Sequence, residues 1–115
     1  MDNSSYRVTT DYRAAYPDPL VMSEGETLRV GEIDPEYDGW VWCTAQTGKS
    51  GWVPQAYLEQ RGEAGVALRD YAATELSVRT GEELSVSDEE SGWVWATNSH
   101  GQSGWVPAAN VERLA

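Results

Sequence analysis

Residues 39–59 read GWVWCTAQTGKSGWVPQAYLE, and residues 92–112 read GWVWATNSHGQSGWVPAANVE. Laid over one another without a gap, the two stretches agree at 13 of 21 positions, so the chain carries an internal repeat. Upstream the correspondence is looser: Asp11-Tyr12 with Asp70-Tyr71, Leu20 with Leu76, and Gly25-Glu26-Thr27-Leu28 with Gly81-Glu82-Glu83-Leu84. A length of 115 residues would ordinarily suggest one domain, but the repeat divides it. The expected units are residues 6–60 and 66–115, with an N-terminal tail 1–5 and a short linker 61–65. That linker lies in Gln60-Arg61-Gly62-Glu63-Ala64-Gly65, which has two glycines and little to bury. Its short reach implies that the two units lie side by side and touch. Contact would help, because a domain of this size buries only about 60 % of the surface its unfolded chain exposes.

Within each unit the apolar pattern is short and of period two. Arg7–Thr10, Thr27–Val30, Trp40–Thr44 and Gly51–Pro54 are rich in β-branched and aromatic residues and are separated by Gly, Asp, Asn and Pro. No run of helical periodicity long enough for a helix interrupts them. Five short strands in about 55 residues predict an all-β fold of two small, partly open barrels in tandem.

The same alternation sorts the aromatic residues by face. Trp40 and Trp42 point one way and Val41 and Cys43 the other, while Trp52 and Pro54 oppose Val53. The smaller set suits a tight interior. Trp40, Trp42, Trp52 and Pro54 are then left on the outer face, which is costly in water unless something binds there.

Composition narrows the function classes. Residues 1–60 hold ten acids and four bases and residues 61–115 nine and four, so net charges of −6 and −5 make up the total of −11. So even an acidic spread repels nucleic-acid phosphates. Cys43 is the single cysteine, which excludes an internal disulfide, and no Cys/His group has metal-ligand spacing. The start, Met1-Asp2-Asn3-Ser4-Ser5, lacks the basic and apolar regions of a signal peptide, and no run of 18 apolar residues could span a bilayer. The expected setting is cytoplasmic, with no membrane association and no cofactor.

The order Asp-Tyr, a long loop ending in Leu, Gly-Glu-x-Leu, an acidic loop, Gly-Trp, then Gly-Trp-Val-Pro resembles the SH3 domain, and it occurs twice. Ala67-Leu68-Arg69-Asp70-Tyr71 is similar to the family's Ala-Leu-Tyr-Asp-Tyr opening, whereas the first copy has drifted to Val8-Thr9-Thr10-Asp11-Tyr12. That drift and the stand-alone tandem point to a variant SH3 protein of bacterial or archaeal type. The resemblance implies a groove for polyproline II peptides, whose ridges insert between aromatic walls while a basic residue meets loop acids. Such a ligand is pre-extended and loses little entropy on binding.

By this resemblance Tyr12, Trp40, Trp52, Pro54 and Tyr57 form the first groove, and Tyr71, Trp93, Trp105 and Pro107 the second. Thr10 and Ala56 depart from the family's Tyr and Asn in the first. Arg69, Ala109 and Asn110 replace Tyr, Asn and Tyr in the second, which is therefore expected to be the weaker. Asp18 and Asp38, helped by Asp34 and Glu36, would meet a basic ligand residue in the first groove; Glu75, with Asp88, Glu89 and Glu90, would do so in the second. Each exposed pair adds only ~0.2–1 kcal/mol, so the acids orient a ligand rather than hold it.

Other readings of these residues are plainer. Trp40 and Trp93 could merely brace the barrel mouth, but their outward parity favours peptide contact. Trp42 and Trp95, where many SH3 domains have a polar residue, are expected to pack between the two units. Cys43 aligns with Ala96 on the inward face and reads as a small core residue. His100 stands in a polar turn with no second His to pair with, and Asp34-Pro35-Glu36-Tyr37-Asp38 fits no calcium-loop spacing. The function read here is a non-enzymatic module binding proline-rich, basic-flanked peptides. The alternative is a structural or assembly protein whose grooves close on each other or on a second chain, and cell-wall recognition ranks below both.

Overall fold

The computed structural model describes residues 4–15 and 18–114. Its strands are β1 (Ser4–Val8), β2 (Val21–Met22), β3 (Thr27–Ile33), β4 (Trp40–Thr44), β5 (Ser50–Pro54), β6 (Leu58–Arg61), β7 (Ala64–Ala67), β8 (Tyr71–Ala72), β9 (Glu83–Glu90), β10 (Trp93–Thr97), β11 (Ser103–Pro107) and β12 (Val111–Arg113). Single 3-10 turns, Gln55–Tyr57 and Ala108–Asn110, follow β5 and β11. They sit where Pro54 and Pro107, in extended conformation, end the strands. The expected all-β architecture is present: two five-stranded sheets, ordered β5-β4-β3-β7-β6 and β11-β10-β9-β1-β12, and a small β2-β8 pair.

Inward parity runs as the sequence implies. Val41 and Cys43 of β4, Val53 of β5, Val94 and Ala96 of β10, and Val106 of β11 are buried. Small side chains on these strands let the sheets curl tightly. Gly104 of β11 shows how tightly, since a Cβ there would lie 2.7 Å from the backbone carbonyl carbon of Glu75.

The folded units are not the sequence repeats. One unit is contiguous, Asp18–Ala73; the other is split, Met1–Pro17 with Thr74–Ala115. The cause lies in the connector. In an SH3-like barrel the opening and closing strands are antiparallel neighbours, and β6 closes the first repeat while β7 opens the second. Only Gly62 and Glu63 lie between them, and a two-residue loop joins antiparallel neighbours as a hairpin. Gly62 takes φ +65°, a value that glycine reaches without penalty and that primed hairpin turns require of their first residue. The register follows at once: Arg61 pairs with Ala64, Gln60 with Gly65, Glu59 with Val66 and Leu58 with Ala67.

The second repeat's opening strand therefore occupies the slot between β3 and β6 in the contiguous unit. The first repeat's opening strand, β1, fills the equivalent slot between β9 and β12, pairing Tyr6 with Leu84 on one side and with Arg113 on the other. Val8 of β1 is buried with Leu76, Val78, Leu84, Val86, Val94, Ala96 and Val106, all from the second repeat. The contiguous unit buries Leu20, Met22, Leu28, Val30, Val41, Cys43, Val53, Leu58 and Ala67.

The division 6–60 and 66–115 thus marks repeats of sequence, and folding regroups them. Of the expected linker 61–65, Arg61 belongs to β6, Ala64 and Gly65 to β7, and Gly62-Glu63 to the turn. Of the expected tail 1–5, Ser4 and Ser5 belong to β1, and residues 1–3 lie outside the described residues.

Candidate peptide-binding site

The exchange of opening strands changes which aromatic residues meet. Tyr12, expected beside Trp40, stands instead against Trp93 of the split unit, with ring centroids 5.6 Å apart and planes at 82°. Tyr71, expected beside Trp93, lies in the contiguous unit, 5.5 Å from Tyr57, and its hydroxyl donates to the Trp52 carbonyl at 2.9 Å. Each aromatic set combines both repeats.

In the split unit, cross-strand register aligns Trp93 with Pro107 and Trp95 with Trp105. The two indoles of the second pair meet edge to face, 5.4 Å apart. Trp93, Trp95 and Tyr12 are half-buried, whereas Trp105 and Pro107 are buried. β9 lies on the other side of β10, pairing Glu90 with Trp93 and Asp88 with Trp95.

Glu75, expected to meet a ligand, is engaged within the fold. Its Oε1 accepts the Tyr12 hydroxyl at 2.6 Å and the Ala15 N–H at 2.9 Å. Asn110, in the position of the family's last Tyr, donates its amide to the backbone carbonyls of Thr10 (3.3 Å) and Asp11 (3.1 Å). Asp11 accepts the Thr80 backbone N–H and hydroxyl, and these two bonds, backbone first, hold its carboxyl below the ordinary 3.8.

The contiguous unit repeats the aromatic layout but covers it. Trp40 pairs with Pro54 and Trp42 with Trp52, whose rings lie 5.1 Å apart at 74°. Trp40 keeps only 3 % of its surface exposed, Tyr57 7 % and Tyr71 8 %, and Pro54 is fully buried. The solvent display expected of Trp40 and Pro54 is absent, since both are as buried as Val41 and Val53 beside them. Part of the cover on Tyr57 is Arg69, whose guanidinium carbon lies 4.4 Å from the ring centroid. Arg69, which departs from the tyrosine usual in the family, thus caps Tyr57. Trp42 and Trp95, expected to pack between units, are each half-buried against the tryptophan across the strand in their own unit.

The loop acids of the contiguous unit are partly occupied. Asp18 pairs with Lys49 at 3.0 Å, and both side chains are well exposed. Asp34 accepts the N–H groups of Glu36 and Tyr37 and so folds its own turn. Burial, then the charges of Glu36 and Asp34, raise the Tyr37 hydroxyl above its ordinary pKa. Asp38 and Glu36 remain exposed.

Cys43 is a buried core residue, and burial pushes its thiol up to about 11. The N–H of His100 serves a turn closed by the Asn98 side chain. Among the described residues no three His, Cys, Asp or Glu side chains gather to hold a metal ion, and no helix is long and apolar enough to cross a membrane.

Two curled sheets, each with a row of tryptophan and proline beside acidic loops, have the architecture of paired SH3 domains, which are protein-interaction modules. The variant SH3 domain family matches residues 5–61 and again 64–114, and the chain belongs to it. The boundaries of those matches follow the sequence repeats and cut across both folded units. A stretch of 55 residues, 48 % of the chain, is 44 % identical to the human proline-serine-threonine phosphatase-interacting protein 1 and spans 12 % of that protein's length.

Proposed function

We propose that the chain binds extended, proline-rich peptides flanked by a basic residue, and that the working groove is that of the split unit, built on Tyr12, Trp93 and Pro107 with Trp105 behind them. The observation that carries this is the state of Trp93: its indole is half-exposed while the neighbouring Val94 is buried, with Tyr12 at right angles beside it and Glu90 across the strand. A flat ring, a second ring forming a wall, and a nearby acid suit a polyproline ridge followed by a basic residue. The single buried cysteine accords with a reducing, cytoplasmic setting.

One shallow groove with few anchors predicts micromolar affinity, about −8 kcal/mol. Titrating an Arg-flanked proline-rich peptide should shift the Trp93 indole resonance, and Trp93→Ala should weaken binding at least about tenfold, as truncating an aromatic anchor does. No shift at millimolar peptide would refute the reading.

For the contiguous unit a second reading is favoured by the near-complete cover over Trp40, Pro54, Tyr57 and Tyr71. There the aromatic set acts structurally, with Trp52 at its edge, and Asp18 and Asp38 contribute charge rather than a ligand pocket. Acrylamide should then quench Trp93 and Trp95 fluorescence well and Trp40 poorly. Equal quenching of all three would return the Trp40 groove to the peptide-binding role.

A further inference from the structure

Tyr12 and Val78 exchange backbone hydrogen bonds of 2.9 and 2.8 Å, which join two short segments of the split unit, residues 11–13 and 77–79, as an antiparallel ribbon. Residues opposite each other in such a ribbon share a face, and their neighbours along the chain take the other face. Tyr12 and Val78 take the core side, where Val78 is buried and Tyr12 packs against it. Asp11, Arg13, Ser77 and Arg79 take the outer side, and all four are exposed. There Arg13 lies diagonal to Arg79, a placement that sets Cβ atoms roughly 7–8 Å apart. Both arginines line a cleft of about 690 Å³, to which Glu82 also contributes.

The acids of this cleft are already engaged. Asp11 accepts from Thr80, and Glu82 Oε1 accepts the Arg79 N–H at 2.9 Å. Among the described residues neither arginine side chain has an ion-pair or hydrogen-bond partner. The contiguous unit provides an internal control. Its equivalent ribbon pairs Met22 with Tyr71 and Val21 with Ala72. Asp70 accepts the Glu24 N–H at 2.8 Å and Glu26 the Ser23 N–H at 3.1 Å, so the bonds made by Asp11 and Glu82 belong to the fold of both units. The arginines do not. In the correspondence between repeats Ala72 stands for Arg13 and Ser23 for Arg79, and the ribbon forms without them. Folding therefore does not account for two adjacent cations in a chain of net charge −11.

We infer that Arg13 and Arg79 form a phosphate clamp, and that the preferred ligand carries a phosphorylated side chain just outside its proline core. The inference rests on the peptide-binding reading and deepens it. Tyr12 ties the clamp to the groove, because its ring meets Trp93 and the next residue is Arg13. A phosphate monoester carries about two negative charges and three acceptor oxygens, enough to take a guanidinium fork from each arginine, whereas a carboxylate fills one fork. The acidic surface makes free anions weak competitors. A phosphate tethered to a peptide already in the groove is instead held at the clamp at high effective concentration.

The test compares one proline-rich, Arg-flanked peptide carrying Ser, Glu or phosphoserine immediately before or immediately after the proline core. Titration calorimetry at low salt should show phosphoserine at one of the two ends binding tightest, about 5–10-fold over Ser, as two exposed charge pairs allow. Glu should fall between them, and the gain should shrink at moderate salt. Combining Arg13→Ala with Arg79→Ser installs the residues of the other unit and should remove the gain while the Ser peptide binds as before, with thermal melting to show that the variant is folded. Equal affinity of the phosphoserine and Ser peptides at both ends, or a gain unchanged in the double variant, would overturn the clamp and leave the groove intact. Glu binding as tightly as phosphoserine would overturn the assignment to phosphate. Binding of none of the peptides to the wild type would overturn the groove, and this inference with it.

Discussion

Asp11 illustrates how single residues hold the exchanged arrangement. It comes from the first repeat, and its carboxylate is satisfied by Thr80 of the second, through a backbone N–H at 2.6 Å and a hydroxyl at 2.8 Å. Because these bonds favour the charged form, the folded-state pKa is depressed. The contribution to stability is then fully present above the unfolded value near 3.9 and is lost as pH falls through the folded one. Urea midpoints of the wild type should drop between pH 5 and pH 3 more steeply than those of Asp11→Asn, which has no carboxylate to protonate. Parallel pH profiles would mean that the Thr80 bonds do not form in solution.

Single residues also show the limits of the sequence. The opposition of Trp40 to Val41, and of Trp93 to Val94, is what strand alternation alone predicts. That Trp93 stays half-exposed while Trp40 is covered does not follow, because alternation fixes the side of the sheet and says nothing of what lies above it. Glu75 was legible as a loop acid, but its capture by Tyr12 depends on which repeat supplies Tyr12.

The β6–β7 hairpin is the element that decides the architecture. Its turn needs a residue with positive φ at position 62, and a β-branched residue there would be strained by roughly 1–2 kcal/mol. Gly62→Val should lower stability by about that amount or shift the pairing, measured by urea denaturation, whereas Gly62→Asn should be nearly neutral. A silent Gly62→Val would indicate a flexible linker at residues 62–63 and not a turn.

The sequence of this element is ambiguous. Gln60–Gly65 has the glycine content of a linker and equally of a hairpin turn, and local composition cannot separate the two. What separates them is a long-range fact, that closing and opening strands are antiparallel neighbours in the barrel. Once they are, a two-residue connection leaves no slack for the second repeat to open elsewhere. The strands flanking the connector offer no discrimination either, since the slots beside β3 and β9 are lined alike, by Leu28 and Val30 in one and Leu84 and Val86 in the other.

At the scale of the molecule, the chain is a nested pair. Asp18–Ala73 is a continuous, permuted SH3-like barrel, and the other barrel is assembled from the chain on either side of it. The contiguous unit holds all the strands of its own sheet, together with β2 and β8. It should therefore fold when excised, although with the low stability typical of about 60 residues. Circular dichroism and a cooperative urea transition of residues 18–73 would check this, and an unfolded fragment would argue against the unit's independence.

The same grouping governs function, because the groove proposed for peptide joins Tyr12 of the first repeat to Trp93 of the second. A NOESY spectrum of the intact chain tests it most directly. Cross-peaks between the Tyr12 and Trp93 rings and between the Val8 and Val94 methyls, with none between Tyr12 and Trp40, are the predicted result; Tyr12–Trp40 and Tyr71–Trp93 cross-peaks would show two conventional, sequential barrels and contradict the account.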